Sequence, residues 1–231
     1  MRQVPMYKRY AIYCVPAPDS DLARFGAAWL GWDSAVGAAV PQPEIAGLDV
    51  AALTNRPRKY GFHGTIKPPF RLADGQSLTG LQDALAQLCA TAAPVTLDGL
   101  RLARIGRFLA LVPEGNAAAL QDLAARAVAD LDAFRAPATP QELAKRRAAR
   151  LTLAQDALLE KWGYPYVMDA FRFHLTLTGP LDHRAEHPAS KALESHLAKL
   201  SLRPYRIDAL TLLGEDDTGY FHQIVRQPLT G

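Results

Sequence analysis

The sequence predicts an α+β protein of two pseudo-symmetric lobes, each a mainly antiparallel sheet with helices outside, and a cleft between the lobes. Internal repetition is the first observation. Phe62 to Phe70 (FHGTIKPPF) lines up with Phe173 to Leu181 (FHLTLTGPL), and Pro94 to Leu102 (PVTLDGLRL) with Pro204 to Leu212 (PYRIDALTL). The offsets are 111 residues for the first block and 110 for the second. Two copies at so long a period exclude a solenoid and imply two similar units. The second observation is the order of elements, in which helix-patterned segments alternate with short strand-like runs. The third is composition: 49% apolar and 21% charged residues are enough to build a core.

Tyr7 to Val15 is rich in tyrosine and aliphatics and reads as a strand that ends at Pro16. Asp19-Ser20-Asp21 offers N-cap chemistry for a helix to about Trp32. Residues 40–57 hold three prolines and little periodicity, so they read as a loop, and as a candidate lid. Tyr60 to Ile66 reads as a strand stopped by Pro68-Pro69. A leucine stripe predicts a helix over 78–92, and strands follow over 95–102 and 107–112. Asn116 to Phe134 is an alanine-rich helix. Thr139-Pro140-Gln141-Glu142 has the capping-box pattern and opens a second helix to about Trp162, closed by Gly163. Together, residues 116–162 form a helical connection within one two-lobed domain, 1–231. Phe171 to Thr178 is a strand, 189–200 a helix, and 205–213 with 220–226 a hairpin.

The net charge is 26 − 23 = +3, too small to demand nucleic acid and compatible with an anionic small molecule. Two cysteines in no paired motif exclude a disulfide framework or a cysteine-rich metal site. No run approaches a membrane span, and residues 1–15 lack signal-peptide character. A cytoplasmic monomer is expected, without membrane association, metal or cofactor. The sequence shows no glycine-rich phosphate loop and no nucleophile elbow.

Chemistry concentrates in the repeated motif. Alternation along a strand puts His63, Thr65 and Lys67 on one face, and His174, Thr176 and Thr178 on another. If the lobes meet about a pseudo-twofold axis, two imidazoles and two hydroxyls converge. One imidazole can take a proton from water while the other donates to a leaving oxygen. An ordinary imidazole titrates at about 6.5, so both forms exist near neutrality. Threonine hydroxyls can bond the phosphoryl oxygens, where charge gathers in the transition state.

The paired motifs resemble the two-histidine phosphoesterase superfamily. Arg58 to His63 (RKYGFH) with Lys67 to Leu72 (KPPFRL), and Trp162 to Met168 (WGYPYVM) before Phe171 to His174 (FRFH), are similar to its branch encoded beside phosphonate-degradation genes. The resemblance implies cyclic phosphodiesterase chemistry, with His63 and His174 as acid–base pair and Thr65 and Thr176 as phosphate ligands. A phosphoribosyl cyclic phosphate is the substrate class it suggests. RNA-end processing of a 2′,3′-cyclic or 2′,5′ linkage is an alternative, as is a non-catalytic module that binds a phosphorylated metabolite or RNA. Lys67 and Arg172 are expected ligands because they share faces with the histidines; Tyr10, Arg58, Lys59 and Tyr166 are further candidates. Lys145-Arg146-Arg147 is the main feature pointing to RNA. His183 and His187, four apart ahead of Pro188, read as a loop pair with no third metal ligand.

Overall fold

The structure is a computed structural model that describes residues 7–231. Its elements run β1 (Arg9–Cys14), α1 (Asp21–Leu30), β2 (Trp32–Asp33), β3 (Ala38–Ala39), α2 (Val50–Arg58), β4 (Gly64–Phe70), α3 (Leu78–Ala90), β5 (Val95–Leu97), β6 (Gly99–Ile105), β7 (Phe108–Glu114) and α4 (Ala118–Asp130). They continue α5 (Pro140–Arg147), α6 (Leu153–Trp162), β8 (Leu175–Thr176), α7 (His183–Leu197), β9 (Tyr205–Ile207), β10 (Ala209–Glu215) and β11 (Phe221–Pro228). The α+β class holds. A seven-stranded sheet, β11-β10-β1-β4-β8-β7-β6, is antiparallel at every pairing.

The repeat sits on the symmetry of the fold. Strands β4 and β8 pair at Gly64 opposite Leu175, the middle residues of the two His-x-Thr motifs. The second repeated block pairs with its own copy as well: Thr96 faces Arg206, flanked by Val95–Ile207 and Leu97–Tyr205. Equivalent residues therefore meet at both places, as a pseudo-twofold axis requires. The halves are interleaved in space rather than separate along the chain. Strand β8 joins the β6–β7 hairpin of the first repeat, while β4 reaches the β10–β11 hairpin of the second through β1. Helix α3 packs on β10 and β11, and α7 reaches β6 through Arg104–Glu186 at 3.1 Å.

One face of the sheet carries the main core, with Ile12, Cys14, Ile66, Phe173, Leu175, Leu177, Leu210 and Leu212 packed under the helices. Burying each such leucine is worth about 1.5–3 kcal/mol. The opposite face carries a smaller cluster, Ala11, Tyr13, Val15, Leu213 and Phe221, with Tyr60 against it. Thr65 lies opposite Tyr13 and so belongs to that second face.

Several boundaries differ from expectation. The first motif strand runs on through Pro68 and Pro69 to Phe70. Strand β8 is only two residues long, so beyond Thr65 one flank of β4 has no ladder bond for a proline to break. Half of the expected 40–57 loop is helix α2, N-capped by Asp49 and tied to α1 where Arg58 donates to the Leu30 carbonyl. The helix expected over 139–162 is two. Arg150 turns to φ 54°, and Thr152 opens α6 with a second capping box, through Gln155. Helix α7 begins at His183 and carries Pro188 in its first turns, so His183 and His187 lie one turn apart on a helix. Among the described residues no group of three or more His, Cys, Asp or Glu comes together there or elsewhere. No helix of the described residues is long and apolar enough to cross a membrane.

Candidate active site

The register that pairs Gly64 with Leu175 places His63 opposite Thr176 and Thr65 opposite His174. The four side chains form the corners of a quadrilateral with the histidines on one diagonal. Diagonal neighbours in an antiparallel pair are about 7–8 Å apart, a gap that one phosphoryl group can span. All four are half-buried, on the face away from the main core.

Both imidazoles are held the same way. His63 Nδ1 lies 2.9 Å from the Gly61 carbonyl oxygen, and His174 Nδ1 lies 2.8 Å from that of Arg172. In each motif the partner is two residues back. A carbonyl only accepts, so each Nδ1 carries the hydrogen and each Nε2 is left for the cleft. His63 Nε2 is 3.2 Å from Thr65 Oγ1, and in this tautomer the hydroxyl donates to it.

The flanking rings differ between copies. Tyr13 stacks on His63 with centroids 3.7 Å apart and planes 17° apart. Phe108 stands 5.6 Å from His174 at 46°. Burial pushes the His63 pKa down from 6.5 to about 4, and the nearby His174 lowers it further, against the Gly61 hydrogen bond that raises it. His63 is thereby neutral at neutral pH.

The expected ligands divide. The fold brings together His63, Thr65, His174 and Thr176. It turns Lys67 away. Cys14 faces Gly64 and Tyr13 faces Thr65, but Ile12 faces Lys67, so β4 carries one extra residue after Thr65. That bulge reverses the alternation and sends Lys67 to the core side. There, 1% exposed, it donates to the Val128 carbonyl at 2.8 Å and stands 3.4 Å from Asp132. Burial lowers its pKa to about 8.

Tyr10 is displaced for a related reason. It is three residues from Tyr13, hence on the opposite face, and packs in the main core. Arg58 is spent on structure, donating to the Leu30 and Ala51 carbonyls and to Gln42 and Thr54. The Arg172 guanidinium is bound to the carbonyls of Asp169 and Phe171; its own carbonyl orients His174. Lys59 lies over the Tyr220 ring. Tyr166 is 43% exposed at the rim of a neighbouring cavity. His222 is held by Asp216 at 2.8 Å, and His196 packs on Phe25 and Trp29. Tyr13, Tyr60 and Phe108 were not anticipated. Only the pairing of β1 and β7 with the motif strands brings in Tyr13 and Phe108, and no local signal encodes that pairing; Tyr60 comes from the turn ahead of β4.

Comparison with known proteins adds the family. Residues 65–222, from the first motif threonine almost to the end of the chain, match the family described as "Protein of unknown function (DUF1045)". The chain belongs to the DUF1045 family. It is also 40% identical over 231 residues to a protein of Janthinobacterium sp. (strain Marseille) named ribose 1,5-bisphosphate phosphokinase PhnN, a match covering 96% of this chain and 51% of that protein. A protein of the same name from Laribacter hongkongensis (strain HLHK9) is 35% identical over 181 residues, covering 75% of this chain and 40% of that one. The chain thus spans about half, or less, of these curated relatives. Among solved structures, one titled "Crystal structure of phosphoesterase" aligns over 98% of this chain and 100% of its own, with 16% identity and a TM-score of 0.43. The geometry of this DUF1045 chain agrees with the two-histidine resemblance: both motifs occupy neighbouring strands about a pseudo-twofold axis.

Proposed function

We propose that the protein is a phosphodiesterase that opens a small cyclic phosphate by proton transfer between His63 and His174, without a metal ion. The matched tautomers carry this reading, because two Nε2 atoms on one polar face are what in-line hydrolysis needs. Water attacks phosphorus as His63 Nε2 takes its proton. The ring P–O bond breaks as His174 Nε2 gives a proton to the leaving oxygen. Thr176 donates to one non-bridging oxygen; Thr65 turns its hydroxyl from His63 Nε2 to another, which frees that nitrogen for the water, and the product is a phosphate monoester with a free hydroxyl. Return of the base proton to solvent and reprotonation of His174 reset the pair.

A phosphorylated ribose is the favoured substrate class. The phosphonate-branch resemblance points there, and so does the ribose phosphate in the name of the relatives that this chain matches over about half their length. The phosphokinase part of that name is not carried over, because the sequence holds no Gly-x4-Gly-Lys-Ser/Thr loop to cradle nucleotide phosphates.

The test is hydrolysis in EDTA of phosphoribosyl 1,2-cyclic phosphate, nucleoside 2′,3′-cyclic phosphates and a short RNA ending in a cyclic phosphate. Turnover of a small cyclic phosphate is expected. No turnover of any of the three by folded protein, or turnover only with added metal, would sink the reading.

A pH profile checks the assigned base. The acid limb of kcat/KM should fall near pH 4, the His63 value, rather than near 6.5. The same shift has a stability consequence. Between about 4 and 6.5 the unfolded chain binds a proton that folded His63 refuses, so stability falls as pH drops through that window. His63→Asn should flatten this dependence in thermal melts.

A further inference from the structure

We propose that the cavity between the far end of β4 and the α5–α6 pair is a second anion site, holding a phosphate monoester remote from the cyclic phosphate on the same substrate. The inference rests on the phosphodiesterase reading and names what else that substrate carries. The cavity encloses about 630 Å³, within the usual size of small-molecule sites. Tyr60 belongs to its wall, and the Tyr60 ring is 6.1 Å from the ring of His63. A ligand in the cavity is therefore one aromatic ring away from the catalytic pair.

The charges decide what it would hold. Five cations line the cavity. Three are already neutralised: Arg9 by Glu215, Arg71 by Glu142 and Arg135 by Asp132. Lys145 and Arg146 enter no ion pair among the described residues. Arg146 lies over the Tyr164 ring at 4.4 Å, a stacking that fixes the guanidinium plane and leaves its N–H edge for an anion.

The basic run at the end of α5 could be no more than cations favoured at a helix C-terminus. Arg147 is that kind of residue: it clasps Asp156 and Glu160 of α6 and lies outside the cavity wall. Lys145 and Arg146 line the cavity with their charge unspent. A bounded concavity with two free cations suits one compact dianion better than a polynucleotide backbone, which needs a long groove.

Ribose 5-phosphate is the probe, titrated by calorimetry into wild type, Lys145→Gln/Arg146→Gln and His63→Ala/His174→Ala. Wild type and the histidine variant should bind it alike. The glutamine variant should bind roughly 10- to 100-fold more weakly, the usual worth of a charged hydrogen bond. Restoring one cation as Lys145→Gln/Arg146→Lys should recover part of the loss, with thermal melts confirming that every variant folds. Three results would overturn the proposal: no binding by wild type, equal binding by the glutamine variant, or loss of binding in the histidine variant. Tighter binding of a cyclic-phosphate RNA than of ribose 5-phosphate, weakened equally by the glutamine variant, would also overturn it in favour of a nucleic-acid groove. Probe binding that depends on Lys145 and Arg146, with no turnover of any cyclic phosphate, would sink the phosphodiesterase reading and leave the anion site standing.

Discussion

His63→Ala should lower kcat on a small cyclic phosphate by about 10²- to 10⁴-fold, the usual share of a positioned acid or base. His174→Ala should do the same, with KM little changed in either, because substrate is held by hydroxyls and cations that both variants keep. The double variant should be scarcely worse than the poorer single one, since half an acid–base relay leaves the other half without a partner. The two roles are separable by changing the leaving group. A p-nitrophenyl phosphodiester expels an oxygen that needs no proton, so His174→Ala should recover most of its activity on that substrate. His63→Ala should not, because water must still be deprotonated. Equal recovery in both would reject the assignment of roles, and full activity of either variant on the cyclic phosphate would reject the mechanism. His63 also stacks on Tyr13. For that reason His63→Asn should accompany the alanine, so that a lost ring contact is not read as lost chemistry.

The asymmetry between the histidines comes from their neighbours, not from the motifs. Both copies use the same hydrogen bond, Nδ1 to the carbonyl two residues back. Only His63 has a ring flat against it at 3.7 Å. One face of that imidazole is covered, and a positive charge there is disfavoured by burial and then by His174. Lowering one of two like groups by burial is an arrangement that would separate base from acid in the proposed reaction without changing residue type.

The motif pair, the repeat and the fold class were legible because each depends on local spacing: one residue between histidine and threonine, and offsets of 111 and 110 residues for the two blocks. What lay beyond the sequence depends on pairing. A single extra residue in β4 decides that Lys67 leaves the site, and the register between β1 and β4 that reveals it has no sequence signature. The choice between Tyr10 and Tyr13 is the same problem. Their parity is readable, but which parity faces the site is fixed only by Tyr13 meeting Thr65. Arg58 misled in another way. Its side chain ties the end of α1 to the first turn of α2 through the Leu30 and Ala51 carbonyls, a demand that exists only once the two helices have packed. The break at Arg150 was readable in part, since Thr152 and Gln155 repeat the capping pattern noted at Thr139 and Glu142.

Gly64→Ala should be among the most damaging single changes outside the histidines, although it removes no functional group. The backbone at Gly64 is not in the left-handed region, so an L-residue is allowed on conformational grounds. Space is what forbids it: a Cβ there would overlap carbons of the Phe173 ring. Phe173 is 6% exposed in the main core and cannot swing out. Overpacking of this kind costs about 1–3 kcal/mol, a Tm drop of roughly 2–4 °C per kcal/mol for a chain of this size. The larger effect is geometric. Phe173 immediately precedes His174, and Gly64 lies between His63 and Thr65. Any relief of the overlap must part β4 from β8 and widen the diagonal between the imidazoles. Displacements of about 1 Å can cost about 10²-fold, so kcat should fall out of proportion to stability. Gly80→Ala, in helix α3 with no atom closer than 3.3 Å, is the control and should match wild type in activity with an equal or higher Tm. Phe173→Leu in the Gly64→Ala background should restore part of both losses, because the smaller side chain makes room for the methyl. Loss of activity in Gly64→Ala that Phe173→Leu leaves untouched would mean that the first motif needs glycine for a reason other than the ring packed against it.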